Sequence, residues 1–196
     1  MTAALWYLGR GTGLTALVMF TLAVVLGILT RSGRSVAGLS RFGVADVHRT
    51  ASLTGTVLVG VHVLTLLFDP YAQLRLVDLV FPFLATYRPL YLGLGTLAFD
   101  VLLAVTVTSL LRHRVGPRTF RAVHWGTYPL WAFALVHGLG AGTDSGTGWF
   151  RLIALACAGA VALALLWRTT AGFRERGFER VPRTVPNRSS SRTVAR

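Results

Sequence analysis

Residues 47–68 read VHRTASLTGTVLVGVHVLTLLF, and residues 122–139 read AVHWGTYPLWAFALVHGL. Each stretch is apolar and close to the roughly 20 helical residues that cross a bilayer core of about 30 Å. Each also carries two histidines, His48 and His62 in the first and His124 and His137 in the second. Positions 14 apart in an ideal helix differ by about 1400°, roughly 40° short of four turns, and by about 21 Å along the axis. His48 and His62 therefore project from nearly one face, one near each membrane surface. The second pair is 13 apart, a rise of about 19.5 Å with a larger ideal angular offset. Pro129 lies between them, where a kink or local bulge can shift the phase.

Three more stretches are long and apolar enough to span, at about 14–29, 90–111 and 149–167. The expected fold is thus all-α, a polytopic transmembrane helix bundle of five spans. Residues 74–85, LRLVDLVFPFLA, are apolar but short and broken by Arg75, Asp78 and Pro82. They read as an interfacial or re-entrant segment, with a sixth short helix as the alternative. The first span lacks the strongly basic lead and small-residue cleavage site of a secretory signal and is expected to stay in the mature chain.

Composition agrees with lipid as the surroundings. Of 196 residues, 53% are hydrophobic and 14% charged, against about a quarter charged in a soluble domain. The formal charge is +13, and all 20 basic residues are arginine. They lie in loops between apolar runs rather than on one folded face, which argues for lipid headgroups and against nucleic acid. The single cysteine, Cys157, sits in an apolar run and reads as a small buried residue.

Arginine placement also orients the spans. Arg31, Arg34, Arg41 and Arg49 follow span one, Arg112, Arg114, Arg118 and Arg121 follow span three, and eight more lie from Arg168 onward. Only Arg10, Arg75, Arg88 and Arg151 fall on the other side, sixteen against four. The positive-inside rule then puts the N-terminus outside and the C-terminus in the cytoplasm of a multi-pass cell-membrane protein. Residues 1–168 form the membrane domain, and 169–196 a basic tail expected to be disordered on anionic lipid.

Spans two and four run in the same direction, so His48 is level with His124 and His62 with His137. Two facing imidazoles at one depth can hold iron from both sides of a porphyrin, and filled axial positions suit one-electron transfer. Arg49 and Arg121 adjoin the inner pair and could neutralise haem propionates. Gly55 and Gly60 leave room for a flat macrocycle or serve ordinary helix packing. The Gly9, Gly11, Gly13 series lacks the strand of a dinucleotide fingerprint and reads as close helix packing or a flexible entry. His113, in an RHR cluster, reads as a solvated headgroup-level residue. Asp46 reads as an N-cap or headgroup-level residue, and Asp100, deeper in span three, as the better functional candidate.

These histidines, with the segments RPLYLGLGTLAFDVLLAVTVTSLLRHRVGPRTFRAVHW and HGLGAGTD, resemble the ferric reductase-like transmembrane domain. The likeness extends over about residues 6–168 and is strongest to short bacterial members, such as the haem-binding membrane subunit of the methionine sulfoxide reductase system. It implies two b-type haems, held by His48 with His124 and by His62 with His137. Larger relatives append a cytoplasmic domain for FAD and NADPH. Only about 29 residues follow Trp167, so the resemblance implies an oxidoreductase component rather than a self-contained reductase. Its electron donor would be a separate flavoprotein or a membrane quinol, bringing flavin or quinone through a partner. Its acceptor would be outside, either ferric iron or a partner protein. Two other classes remain open at this point. One is a transporter or proton relay that uses the intramembrane histidines without haem. The other is a membrane protein with a transition ion at each pair, which two imidazoles alone would leave under-coordinated.

Overall fold

The computed structural model describes residues 2–32, 38, 40–70 and 72–170. Among them the ordered elements are all helical: α1 (Thr2–Ser32), α2 (Arg41–Leu67), α3 (Pro89–Leu110), α4 (Arg112–His124), α5 (Thr127–Ala141) and α6 (Gly148–Thr169). The expected tail lies almost wholly outside the described residues.

Four helices, α1, α2, α3 and α6, are long and apolar enough to cross a membrane. The chain is therefore a multi-pass membrane protein by the character of its helices. Expected span four differs. It is built from α4 and the 15-residue α5, and the reasons are local. Gly116, at φ 76°, breaks α4, and Pro117 then occupies a first-turn position, where a missing N–H costs nothing. Pro129 cannot donate to the Trp125 carbonyl four residues back. Around Trp125 and Gly126 the backbone closes i to i+3 bonds instead, from Gly126 N to Val123 O at 2.9 Å and Tyr128 N to Trp125 O at 3.3 Å. Such bonds wind about 120° per residue rather than about 100°. The overwinding turns His137 toward the face of His124.

Residues 74–85 form no sixth helix. They hold one 3-10 turn, Leu76–Leu79, tied to the start of α3. Thr96 Oγ1 donates to the Asp78 carbonyl at 2.7 Å, and the Phe83 ring lies directly on Gly93. Arg75 caps the turn by bonding the buried Asp78 carboxylate through its backbone N–H and its guanidinium, at 2.8–3.0 Å. The N-cap of α2 is Ser40, whose hydroxyl accepts from Gly43 N at 3.3 Å. Asp46, expected as a cap or a headgroup-level residue, is not the cap and lies exposed in the second turn.

α1 is the hub of the bundle. α2 packs along it, α3 packs along α5, and α5 and α6 also touch α1. The central core joins Ala16, Leu17 and Phe20 of α1 to Ala98 and Leu102 of α3, Leu130 and Trp131 of α5, and Cys157 and Val161 of α6. Within it Trp131 Nε1 donates to Thr21 Oγ1 at 2.9 Å. α2, which carries His48 and His62, is not closely packed against α4, which ends at His124, or against α5, which carries His137, so a gap separates them. Cys157 is buried as expected.

Candidate functional site: two imidazole pairs across a gap

The four histidines meet across that gap in two pairs. His48 and His124 have ring centroids 6.3 Å apart with planes at 71°. His62 and His137 are 6.4 Å apart at 85°. A metal–imidazole bond of about 2.0 Å, plus about 1.1 Å from ring nitrogen to centroid, puts two imidazoles on opposite sides of one metal about 6.2 Å apart, centroid to centroid. Both pairs have that spacing.

Three of the rings are anchored through Nδ1 to backbone carbonyls on neighbouring helices. His48 bonds to Ala23 O at 2.8 Å, His62 to Gly9 O at 2.7 Å and His137 to Tyr91 O at 2.9 Å. A carbonyl can only accept, so each Nδ1 carries the proton and each Nε2 keeps its lone pair. This second-shell bond is the one that orients metal-ligating histidines. His124 differs: its buried Nδ1 has no partner among the described residues, and its ring stacks on Phe120 with centroids 5.2 Å apart.

The rings approach these carbonyls closely because glycines face them. A β-carbon at Gly13 would lie 2.8 Å from His62 Nδ1, one at Gly95 2.6 Å from His137 Nδ1, and one at Gly27 3.3 Å from the His48 ring. A side chain at the first two would push the imidazole away. Gly13 and Gly27 are 14 apart on α1, the interval of His48 and His62 on the antiparallel α2. That matched interval was the sequence signal for these positions. The carbonyl acceptors leave no such signal, because any residue type supplies one.

Gly55, expected either to clear space for a macrocycle or to serve helix packing, packs against Phe20 and so serves the contact between α1 and α2. Gly60 faces open space. In the glycine series, Gly9 and Gly13 serve close packing, against Leu66 and His62, while Gly11 has no neighbour. Arg49 follows His48 directly and Arg121 precedes His124 by one turn. Both are exposed and make no hydrogen bond or ion pair among the described residues.

At the His62 level a cavity of about 770 Å³ opens between the helices, lined largely by apolar side chains including Leu17, Phe20, Leu102 and Leu130. Its size is that of a site for a substantial cofactor. Arg10 and Asp144 form an ion pair at its polar rim. Among the described residues no third histidine, cysteine or carboxylate joins either pair. A bare ion would therefore have only two protein ligands, whereas a porphyrin would supply the remaining donors. The residues present fit a haem at the His62 level, and the His48 pair has the same ring spacing.

The profile of a family described as "ferric reductase like transmembrane component" matches residues 12–135. The matched span contains His48, His62 and His124 and ends two residues before His137. No curated protein and no solved structure matches the chain. With that match across more than half its length, the chain belongs to the family of ferric reductase-like transmembrane components.

Proposed function

We propose that this chain is the di-haem core of a transmembrane electron-transfer system, with His48 and His124 holding one b-type haem and His62 and His137 the other. Family membership carries the general role, electron transfer at a membrane. The observation that carries the specific reading is the 6.3 and 6.4 Å separation of the two imidazole pairs, with Nδ1 tied back in three of the four rings. When bound between two histidines, a haem supplies reversible one-electron transfer with no open iron position for oxygen chemistry.

The chain's own contribution is positional. The Ala23, Gly9 and Tyr91 carbonyls fix the rings, raise their basicity and hold them to one rotamer. Core residues between the two levels exclude water. Arg49 and Arg121, uncommitted at the His48 end, are suited to neutralise propionate carboxylates. With the N-terminus outside and the C-terminus in the cytoplasm, the His48 pair faces a cytoplasmic flavoprotein or a quinol. The His62 pair then faces an outer acceptor, ferric iron or a protein. A proton relay is the weaker reading, because three of the four Nδ1 protons are committed to backbone carbonyls that cannot pass them on.

The test is a visible spectrum and haem count on the full chain, expressed with ample haem and purified. Sharp reduced-state bands of low-spin haem at about two haems per chain support the proposal. A colourless protein overturns it.

A further inference from the structure

Asp100 lies midway along α3 and is the acidic residue set deepest in a membrane-length helix among the described residues. It is half-buried, and no hydrogen bond or ion pair joins it to any described residue. The residues three, four and seven positions on, Leu103, Ala104 and Val107, share its helix face, and all three are exposed, Leu103 at 46% and Val107 at 50%. The opposite side of α3 is committed inward, where Gly95 meets His137 and Leu102 enters the core. Toward the Pro89 end, the 74–85 segment covers the Asp100 face through Thr96 and Gly93. That cover stops one turn short of Asp100.

An ionisable group inside a bilayer is costly and almost always faces protein or water. Here a carboxyl opens onto a stripe that would otherwise touch lipid tails. It has no hydrogen-bonded neighbour to pass a proton to, so a relay does not explain it. A polar side chain in this setting is satisfied by a bond across a helix–helix contact.

We infer that this stripe of α3 is the contact between two copies of the chain, with the two Asp100 side chains meeting as a reciprocally hydrogen-bonded pair of carboxylic acids. A carboxylic acid both donates and accepts, so it is its own complement. A two-fold axis along the membrane normal brings the same residue of each copy to the same depth, because both cross in one direction. Ala104 and Thr108, four and eight positions on, are small enough to let two backbones approach. The inference is independent of the haem assignment.

The test uses the full chain, labelled once per copy and diluted into phosphatidylcholine vesicles, with subunits counted by single-molecule photobleaching. The wild type is expected to bleach in two steps. Asp100→Leu should associate about tenfold more weakly, with its helical circular dichroism unchanged. Val107→Trp, which keeps the acid but blocks close approach, should likewise associate more weakly, with more one-step bleaching than the wild type. Asp100→Asn, whose amide still donates and accepts, should stay paired. One-step bleaching of the wild type, or undiminished pairing of Asp100→Leu, overturns the inference.

Discussion

The Nδ1 atom of His62 donates a hydrogen bond to the carbonyl oxygen of Gly9, 53 residues earlier, at 2.7 Å. The imidazole is thus fixed by the backbone of α1, while the ring it faces, His137, is fixed by the backbone of α3 through Tyr91. Each half of the site depends on a helix that carries no histidine. If the two levels are separate haem sites, they should fail separately. Replacing His62 or His137 with Ala should remove about one haem and leave the spectrum of the other, and replacing His48 or His124 should do the converse. Haem content of purified single variants checks this. Retention of both haems in any one of the four would overturn the ligand assignment.

The facing glycines predict a graded series. Gly13→Ala and Gly95→Ala bring a β-carbon to 2.8 and 2.6 Å from an imidazole nitrogen, so the ring must move and its carbonyl bond must lengthen. Both should lower haem occupancy at the His62 level and broaden its reduced bands. Gly27→Ala, at 3.3 Å, should have a milder effect on the His48 level. Gly11→Ala, with no neighbour within 4 Å, should leave both sites alone and add up to about 1 kcal/mol of helix stability. If Gly13→Ala behaves like Gly11→Ala, the cradle has no role.

The sequence made part of this legible, for identifiable reasons. Apolar windows located α3 and α6 within two residues at each end, because length and hydropathy alone decide a membrane span, whereas α2 begins six residues before its apolar window. The start of α1 was placed too late, since Arg10 and the glycines ahead of residue 14 dilute the signal without breaking the helix. The fourth span was drawn as one piece, 122–139. The Gly116 break was not read, and the effect of Pro129 was read only as a possible phase shift. The pairing of His48 with His124 and of His62 with His137 followed from rise per residue and helix direction, both properties of spacing. The partners that hold the rings were not legible, because Ala23, Gly9 and Tyr91 act through carbonyl oxygens from other helices.

The Trp131–Thr21 bond links α5 to α1 between the two histidine levels. Both residues are buried, so an unpaired N–H there is costly. Thr21→Val, which strands the indole N–H, should destabilise the bundle by about 1–2 kcal/mol. Trp131→Phe removes the donor but also loses ring volume. Adding Thr21→Val to Trp131→Phe should then cost much less than it does in the wild-type background. Thermal unfolding in detergent of the two single variants and the double variant measures the coupling. Additive losses would mean that the bond contributes nothing beyond packing.

The capped turn at 74–85 should respond to acid. The hydrogen bond from Arg75 holds the buried Asp78 carboxyl below the ordinary carboxylate range, and burial opposes that shift only in part. A folded-state pKa below the unfolded one means the ordered turn binds the proton less well than the loosened one. Its stabilisation is therefore complete above the ordinary carboxylate range and is lost as pH falls through the lower, folded value. Amide hydrogen exchange of residues 76–80 should be slow and flat from neutral pH down to that range, after correction for intrinsic rates, and should rise below it. Asp78→Asn keeps the side chain's shape but loses the charge-assisted bonds to Arg75. It should exchange faster at neutral pH and show no acid step, whereas an acid step retained in that variant would assign the transition to another group.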